Sequence, residues 1–400
     1  MFKIACRNIL RNKRRSLMCL LISMVGVAVL YLMIGYNTAT NDGLQLMSVE
    51  QYGDLQIARS GYWDAEKTDQ LILTRNEMDS IERILCEEEA ISGFTTQLNC
   101  SGILGTENGS TIVTGWGIEP GNNLGISYSI NSGLNLFPGD QGLVLLGEGV
   151  EKKLHLQTED WVSIMATTLD GAYNAGSLQV SGTFTTGISE MDGFYVILPI
   201  TYIQNLLNTD GVEKFLVRLR NTALVPEVRT RLLARFAAAG LDLEIKSWSD
   251  LAVMYHQVKG MFETIFFFLS LIVFVLVFIS ILEIMSMAFF ERMNEIGTIR
   301  SIGTKRRQVF LLLIQEGLVQ GIIGGILGIC LGWGMSALIN GLQISYVPPS
   351  FSDPVSLTIN QSAGNVLLPF FIVLCSTVLS AFFPAIKGVK LNIVEILRHV

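Results

Sequence analysis

The sequence has little charge and few of the side chains that build catalytic or metal sites. Only 16% of its 400 residues are charged, against about 25% in an average soluble domain. The three histidines, His155, His256 and His399, are scattered along the chain, so no metal site is predicted. The motifs G-x-S-x-G, H-E-x-x-H and the P-loop G-x-x-x-x-G-K-[ST] do not occur. A soluble enzyme, a secreted disulfide scaffold and a nucleic-acid-binding protein are therefore all disfavoured.

Long apolar runs are the most prominent feature of the chain. Half of the residues are hydrophobic and the mean hydropathy is +0.46, so part of the protein must lie in lipid. A helix of about 20 apolar residues crosses the roughly 30 Å of hydrocarbon in a bilayer. We predict transmembrane helices over residues 17–36, 262–290, 308–342 and 364–386. The first run is longer than the apolar core of a signal peptide and no A-x-A site follows it, so we interpret it as an uncleaved anchor.

The distribution of basic residues predicts the orientation. The amphipathic N-terminal segment 1–16 holds six Lys and Arg, residues 291–307 hold five and the tail 387–400 holds three, whereas 343–363 holds none. Cytoplasmic loops near membrane spans are enriched in Lys and Arg. We therefore expect both termini and residues 291–307 to be cytoplasmic, and residues 37–261 and 343–363 to be extracytoplasmic.

Residues 37–261, between the first two spans, carry 28 acidic and 14 basic residues. Short β-rich runs separated by Gly, Asn and Asp clusters alternate there with helical periodicity. The predicted strands are 55–59, 111–114, 142–146, 161–166, 178–184, 193–198 and 215–219, and the predicted helices are 75–89, 147–154, 201–207 and 226–239. The predicted fold class is a polytopic α-helical membrane protein with four transmembrane helices and a large α+β extracytoplasmic domain between the first and the second.

Two of the six cysteines, Cys86 and Cys100, lie in the predicted extracytoplasmic domain. An oxidising compartment would permit a disulfide between them that closes a short loop. The alternative is that both are small buried hydrophobic residues. The sequence leaves both interpretations open.

The segment Glu291–Arg307 follows the second span without a helix breaker. Its apolar residues recur every three positions, which predicts a short helix with one apolar stripe. That stripe consists of Met293, Ile296, Ile299 and Ile302. An apolar ridge with a charged rim is suited to the groove of another protein. The alternative is a positively charged loop that only sets the topology.

The third span carries two rows of small residues at four-residue spacing, which allow helices to pack closely. The rows are Gly317-Gly321-Gly325 and Gly324-Gly328-Gly332. They predict either a sliding contact against the fourth span or a partner membrane subunit, or static packing. Glu316 lies near the cytoplasmic end of the same span, and we expect it to pair with a helix end or with the cations of the preceding loop.

The 291–307 loop resembles the signature of the ABC-transporter permease superfamily that includes the MacB, lipoprotein-releasing (Lol) and FtsX types. The family pattern E-R-x-x-E-I-G-x-x-R-(A/S)-x-G is matched by Glu291, Arg292, Glu295, Ile296, Gly297, Arg300, Ser301 and Gly303. Residues 147–165 resemble a stretch of the family's outside domain, although Val150, Glu151 and Glu159 depart from it. The N-terminal run and Asn392–Arg398 are similar to the family's ends, and Tyr52–Trp63 is similar to the segment after the first span in Lol-type permeases.

This resemblance implies a permease in a bacterial inner membrane that is not itself an enzyme. It implies that the matched positions Glu291, Arg292, Glu295, Ile296, Gly297, Arg300 and Gly303 form a coupling helix that docks on a separate cytoplasmic ATPase subunit, which binds ATP and Mg²⁺. It also implies a second permease copy or homologous permease, contact with membrane lipid, and lipoprotein extraction with a periplasmic carrier. The alternatives are MacB-type efflux of macrolides or peptides and an FtsX-like signalling platform that regulates a cell-wall hydrolase. No nucleic-acid partner is expected.

Overall fold

The structure, a computed structural model, describes residues 7, 11–64, 72–107, 109–122, 124–301, 303–347 and 354–390, without the side chains of 294, 299 and 388–390. Part of the N-terminal segment 1–16 and all of the similarity at Asn392–Arg398 lie outside the described residues. The helices are α1 (Lys13–Tyr52), α2 (Arg75–Cys86), α3 (Glu148–Leu154), α4 (Ser189–Asp192), α5 (Ile200–Leu207), α6 (Val225–Ala238), α7 (Trp248–Leu251), α8 (Val253–Glu291), α9 (Met293–Ser301), α10 (Arg306–Leu342) and α11 (Gly364–Lys390).

The strands lie mostly between α1 and α8 along the chain. They are β1 (Leu55–Arg59), β2 (Ile91–Thr106), β3 (Gly109–Ile118), β4 (Ser129–Gly133), β5 (Leu143–Gly147), β6 (Trp161–Thr167), β7 (Tyr173–Thr185), β8 (Tyr195–Pro199), β9 (Lys214–Leu219), β10 (Leu243–Ser247), β11 (Ser345–Tyr346) and β12 (Val355–Ser356). The chain divides into two compact units. One comprises the chain up to Asp42, Gln257–Ser345 and the chain from Ser356, and the other comprises Gly43–His256 and Tyr346–Val355.

Among the described residues, four helices are long and apolar enough to cross a membrane, namely α1, α8, α10 and α11. Each contains or closely matches one of the predicted spans. Helix α1 continues to Tyr52, well past the predicted limit at residue 36. Its last turns are stabilised by an apolar cluster in which Val49 packs with Trp248 and Tyr255.

Strands β1 to β10 form one mixed sheet, in the order β10-β1-β9-β2-β3-β8-β5-β7-β4, with β6 pairing to both β2 and β7. The pairings β2-β3-β8-β5-β7-β6-β2 close on themselves and make a six-stranded ring. Strand β2 is long enough to join the ring to the strands outside it. Its residues Ile91–Gln97 pair with β9, outside the ring, and Leu98–Thr106 pair with β3, within it. Each strand and helix predicted for residues 37–261 overlaps an observed one.

The core of this unit follows from strand alternation. Along β6, Val162, Ile164 and Ala166 are buried while the residues between them are exposed. The buried side chains join those of β2, β5, β8 and β9 in one large cluster, against which α2, α5 and α6 lay their apolar faces. A second cluster around Phe184 and Ile197 fills another part of the sheet.

Of the two interpretations left open for Cys86 and Cys100, the disulfide is not observed, because both residues are free cysteines. Cys86 ends α2 on its exposed side, whereas Cys100 is only 4% exposed within the core. A disulfide requires two Cβ atoms that face one another at close range, and these two side chains point into different surroundings. Cys100 matches the alternative of a small buried hydrophobic residue. Burial raises the pKa of the Cys100 thiol to about 12.

Candidate functional site

The residues that match the family signature lie around α9. Glu291 ends α8, Arg292 lies between the two helices, and α9 carries Glu295, Ile296, Gly297 and Arg300. The turn before α10 contains Gly303 with a φ of 109°, a backbone conformation that residues with a Cβ atom rarely adopt. The Gly303 amide donates to the Arg300 carbonyl oxygen at 3.1 Å. The signature therefore forms a compact helical corner between two long helices.

The apolar side of α9 is packed within the chain. Ile296 is 8% exposed and lies in a cluster with Phe289, Val309, Leu313 and Ala385. These residues belong to α8, α10 and α11, so α9 is joined to three of the long helices. Met293 packs against the same cluster. The prediction that the stripe offers an exposed apolar ridge to a partner is therefore wrong for Ile296, and Met293 is half-buried. The side chains of Ile299 and Ile302 lie outside the described residues.

The opposite side of α9 is polar and exposed. Glu295, Thr298 and Ser301 are exposed, and their three-residue spacing places them along one side of a helix. The Ser301 hydroxyl donates to the Thr298 carbonyl oxygen at 2.7 Å. A partner that docks on α9 therefore meets this exposed polar face, which we define as Glu295, Thr298 and Ser301.

Two ion pairs connect the N-terminal basic segment to this corner. Arg11 donates from Nη2 to both carboxylate oxygens of Glu295, at 2.6 and 2.5 Å. Arg15 pairs with Glu291. Nothing in the local sequence pattern indicates which carboxylates Arg11 and Arg15 meet, because Glu295 and Glu291 lie 284 and 276 residues further along the chain.

Arg292 and Glu316 form an ion pair that links the corner to α10. Arg292 Nη1 donates to the two Glu316 oxygens at 3.2 and 3.3 Å, and its Nε lies 3.6 Å from a Glu295 oxygen. The side chain of Glu316 is only 9% exposed. The prediction that Glu316 pairs with a cation of the preceding loop is confirmed. The site is thus a set of carboxylates, each held by an arginine, above an apolar cluster.

The remaining signature residues are buried. Gly297 is buried, and Arg300 is 7% exposed and has an interaction partner. Phe290 directly precedes Glu291 in the chain, and the Lys387 ammonium lies 4.9 Å from the centre of its ring, a cation–π contact. Within the residues that the structure describes, no group of three or more His, Cys, Asp or Glu could hold a metal ion.

The two glycine rows of α10 face different helices. A Cβ added to Gly317, Gly321 or Gly325 would lie 2.8 Å or less from atoms of Ala381, Thr377 or Phe370 on α11. A Cβ on Gly324, Gly328 or Gly332 would lie 2.9 Å or less from atoms of Ser23, Met24, Val27 or Tyr31 on α1. Helix α10 therefore packs closely against α11 on one side and against α1 on the other.

Comparison with known proteins places these features in one family. Residues 16–235 match the MacB-like periplasmic core domain, and residues 267–393 match the FtsX-like permease C-terminal domain. The macrolide export ATP-binding/permease protein MacB of Bdellovibrio bacteriovorus is 26% identical over 53% of this chain and 32% of its own length. The lipoprotein-releasing system transmembrane protein LolE of Haemophilus influenzae is 22% identical over 81% of each chain.

Among solved structures, the periplasmic region of MacB from Actinobacillus actinomycetemcomitans aligns with 50% of this chain and 92% of its own, at 15% identity and a TM-score of 0.37. The aligned part of this chain spans about a third of the Bdellovibrio protein. The periplasmic core match alone covers more than half of the chain, and it is followed by the permease match that contains α9 and the glycine rows. The chain therefore belongs to the MacB/FtsX/LolE superfamily of ABC transporter permeases.

Proposed function

We propose that this chain transmits motion of a cytoplasmic ATPase subunit through α9 to its extracytoplasmic domain, and that the work done there is the extraction of lipoproteins from the inner membrane. The observation that carries the proposal is the two-sided construction of α9. Its buried side packs on α8, α10 and α11, while its polar face is exposed. A force applied to the polar face would thus reach three long helices together.

The direction of transmission rests on the proposed topology. Both termini and α9 are cytoplasmic in this proposal, in agreement with the basic residues at 1–16, 291–307 and 387–400. The acidic region between α1 and α8 is then extracytoplasmic. Long domains cross the membrane largely regardless of their charge, so the 14 basic residues of this region do not oppose the topology.

ATP chemistry is assigned to the partner, because the 400 residues contain no P-loop motif. The partner binds ATP and Mg²⁺, and its conformational change acts on the polar face of α9. Four spans are few for a closed path, which favours a complex with a second permease copy or a homologous permease. Motion from the partner would then act on two such corners.

The substrate class is supported by the match to LolE, a lipoprotein-releasing transmembrane protein, which covers 81% of both chains. We therefore assign lipoproteins as the leading substrate, with a periplasmic carrier to receive them. Efflux of macrolides or peptides is the second candidate, because residues 16–235 match the MacB-like periplasmic core. An FtsX-like platform that signals to a cell-wall hydrolase is the third, supported by the match over residues 267–393.

Coupling is tested with a matched pair of variants in the full chain. Thr298→Arg adds a long cation to the polar face of α9, and Thr230→Arg makes the same change at another exposed helical threonine, on α6. Each tagged protein is purified from its native membranes with the ATPase that accompanies it. Stimulation of ATP hydrolysis is expected to fall roughly tenfold with Thr298→Arg, within the usual range of coupling energies, and to stay unchanged with Thr230→Arg.

Two results would overturn the coupling proposal: no ATPase accompanies the wild-type chain, or Thr298→Arg leaves both association and stimulation intact. The substrate is tested separately, with the purified complex in proteoliposomes that contain a triacylated lipoprotein. ATP-dependent appearance of the lipoprotein in the soluble fraction supports lipoprotein release. ATP-dependent movement of a macrolide without lipoprotein release would instead favour efflux.

A further inference from the structure

Four strands of the ring carry a row of exposed apolar side chains. The register pairs Ile112 of β3 with Ile103 of β2, Ile103 with Met165 of β6, and Met165 with Ala175 of β7. Residues directly opposite on neighbouring antiparallel strands have Cβ atoms about 4.5–5.5 Å apart. The row is therefore continuous across four strands.

Two large aromatic residues extend this row along the strand direction on the same side of the sheet. Trp161 lies four residues before Met165 on β6, and Tyr173 lies two residues before Ala175 on β7, so both point to the face of the row. We call the six residues the apolar face: Ile103, Ile112, Trp161, Met165, Tyr173 and Ala175. The exposed fractions of its large members are 41% for Ile103, 75% for Ile112, 67% for Trp161, 41% for Met165 and 80% for Tyr173.

This exposure is not required by the fold. The core side of β6 already buries Val162, Ile164 and Ala166, and an antiparallel sheet that faces water normally has polar residues on its outer side. Small polar residues do occupy the neighbouring outward positions, including Ser101, Ser163 and Ser177. A group of exposed large apolar side chains within a polar surround is a usual mark of a protein-interaction site.

Acidic residues lie beside the apolar face. Carboxylates lie at the ends of its strands: Glu107 after β2, Asp160 before β6 and Asp170 between β6 and β7, and all three are exposed. Between Arg83 and Lys214 the sequence contains only two Lys or Arg residues, Lys152 and Lys153. Both are engaged near α3, Lys152 with Glu148 at 2.5 Å and Lys153 with the Gly193 carbonyl oxygen at 2.6 Å.

We propose that the apolar face docks a cationic protein partner whose apolar contact surface is edged with Lys or Arg. Charge complementarity selects this occupant, because facing groups of like charge destabilise a complex. A second copy would bring the same carboxylates against these carboxylates, and an anionic membrane surface would meet the same repulsion. The extracytoplasmic location of the partner rests on the proposed function. The observations on the apolar face and its acidic surround are independent of that function.

The test uses the full chain in zwitterionic lipid nanodiscs and two probe peptides. One peptide alternates leucine with lysine and the other alternates leucine with glutamate, and binding to empty discs is subtracted. The lysine peptide is expected to bind at least roughly tenfold more tightly than the glutamate peptide, with an affinity that falls as salt rises. The double variant Ile112→Ser/Met165→Ser is expected to weaken lysine-peptide binding by roughly tenfold or more.

The matched control is Leu134→Ser, at a leucine that is 69% exposed and lies outside the apolar face. It should leave binding unchanged. All substituted side chains are exposed or partly exposed, so the variants are expected to fold, and equal unfolding temperatures verify it. Failure of the lysine peptide to bind, equal binding of both peptides, or an unaltered affinity in the double variant would each overturn the proposal.

Two further measurements identify another occupant. If self-association of the wild-type chain, or its binding to anionic vesicles, is lost in Ile112→Ser/Met165→Ser, the face belongs to a second copy or to a membrane, and the proposal is overturned. Thr298→Arg should retain lysine-peptide binding. A failure of the apolar face is therefore distinguishable from a failure of ATPase coupling, since each is read from a variant that the other does not affect.

Discussion

Arg292 donates from Nη1 to both carboxylate oxygens of Glu316, and this contact joins the junction of α8 and α9 to the first third of α10. Both side chains are largely buried, at 16% and 9% exposed. An ion pair in such surroundings has a large desolvation cost that only its partner offsets. The pair therefore makes the position of α9 relative to α10 specific, whatever its net contribution to stability.

A double-mutant cycle tests this contact. Arg292→Met should lower the free energy of unfolding by about 3 kcal/mol, because it leaves the Glu316 carboxylate largely buried without this cation. Adding Glu316→Leu removes that uncompensated charge and should restore most of the loss. Unfolding of the full chain in detergent gives both values. Additive losses in the double variant would show that the two side chains are not energetically coupled.

The sequence predicts local features of this corner but not its long-range contacts. The three-residue recurrence of Met293 and Ile296 predicts a short helix, and α9 is observed there. The same pattern cannot say whether the apolar side meets another protein or the chain itself. That depends on Val309, Leu313 and Ala385, which other long helices bring to α9. The pairing of Arg11 with Glu295 is hidden for the same reason.

Strand β2 is a second feature that the local sequence does not predict. Its sequence, ISGFTTQLNCSGILGT, is rich in Ser, Thr and Gly and lacks steady alternation, so local pattern does not predict a strand there. The structure nevertheless makes it the strand that pairs with β3, β6 and β9. Pairing on several sides and burial against the core outweigh the weak intrinsic preference of these residues, because strand propensity depends strongly on context.

The glycine rows of α10 allow a controlled test of close helix packing. A Cβ on Gly328 would lie 2.6 Å from the Met24 carbonyl oxygen and 2.6 Å from the Val27 Cβ, both fixed parts of α1, whereas a Cβ on Gly334 would meet nothing within 4 Å. Gly328→Ala should therefore lower stability by about 1–3 kcal/mol through overpacking. Gly334→Ala should stay within about 1 kcal/mol of wild type, since alanine is the better helix former.

Unfolding of the two variants in the same detergent checks this prediction. If the glycine row allows α10 to pack closely against α1, Gly328→Ala must be clearly less stable than Gly334→Ala. If Gly328→Ala is as stable as Gly334→Ala, α1 and α10 do not approach at that position as closely as described.

The N-terminus of α2 provides a pH test in the other compact unit. Glu77 accepts from the Thr74 amide and hydroxyl, both at 2.7 Å, and from Arg59 Nη2 at 2.6 Å. Burial alone would raise the pKa of this carboxyl, but the hydrogen bonds from Thr74 and the Arg59 guanidinium outweigh it, so the pKa is lowered from its usual 4.5. The ionised form therefore stabilises the folded state.

The sign of the pH dependence follows from this direction. Because the folded pKa lies below the unfolded one, the contribution of Glu77 is fully present above the unfolded pKa and is lost as pH falls through the folded pKa. Glu77→Gln keeps the shape and removes the charge, and a partly exposed pair of this kind contributes about 0.5–1 kcal/mol. At pH 7 the amides of α2 in the variant should thus exchange with deuterium about two to five times faster than in wild type.

As pH falls through the lowered pKa of folded Glu77, the wild-type carboxylate becomes protonated and the ratio of the two exchange rates should approach one. Glu82→Gln is the matched control, because Glu82 lies on the same helix and its side chain forms no ion pair among the described residues. That variant should keep a ratio close to one throughout. A Glu77→Gln ratio that stays constant across the pH range would show that the carboxylate charge does not contribute to the stability of this helix.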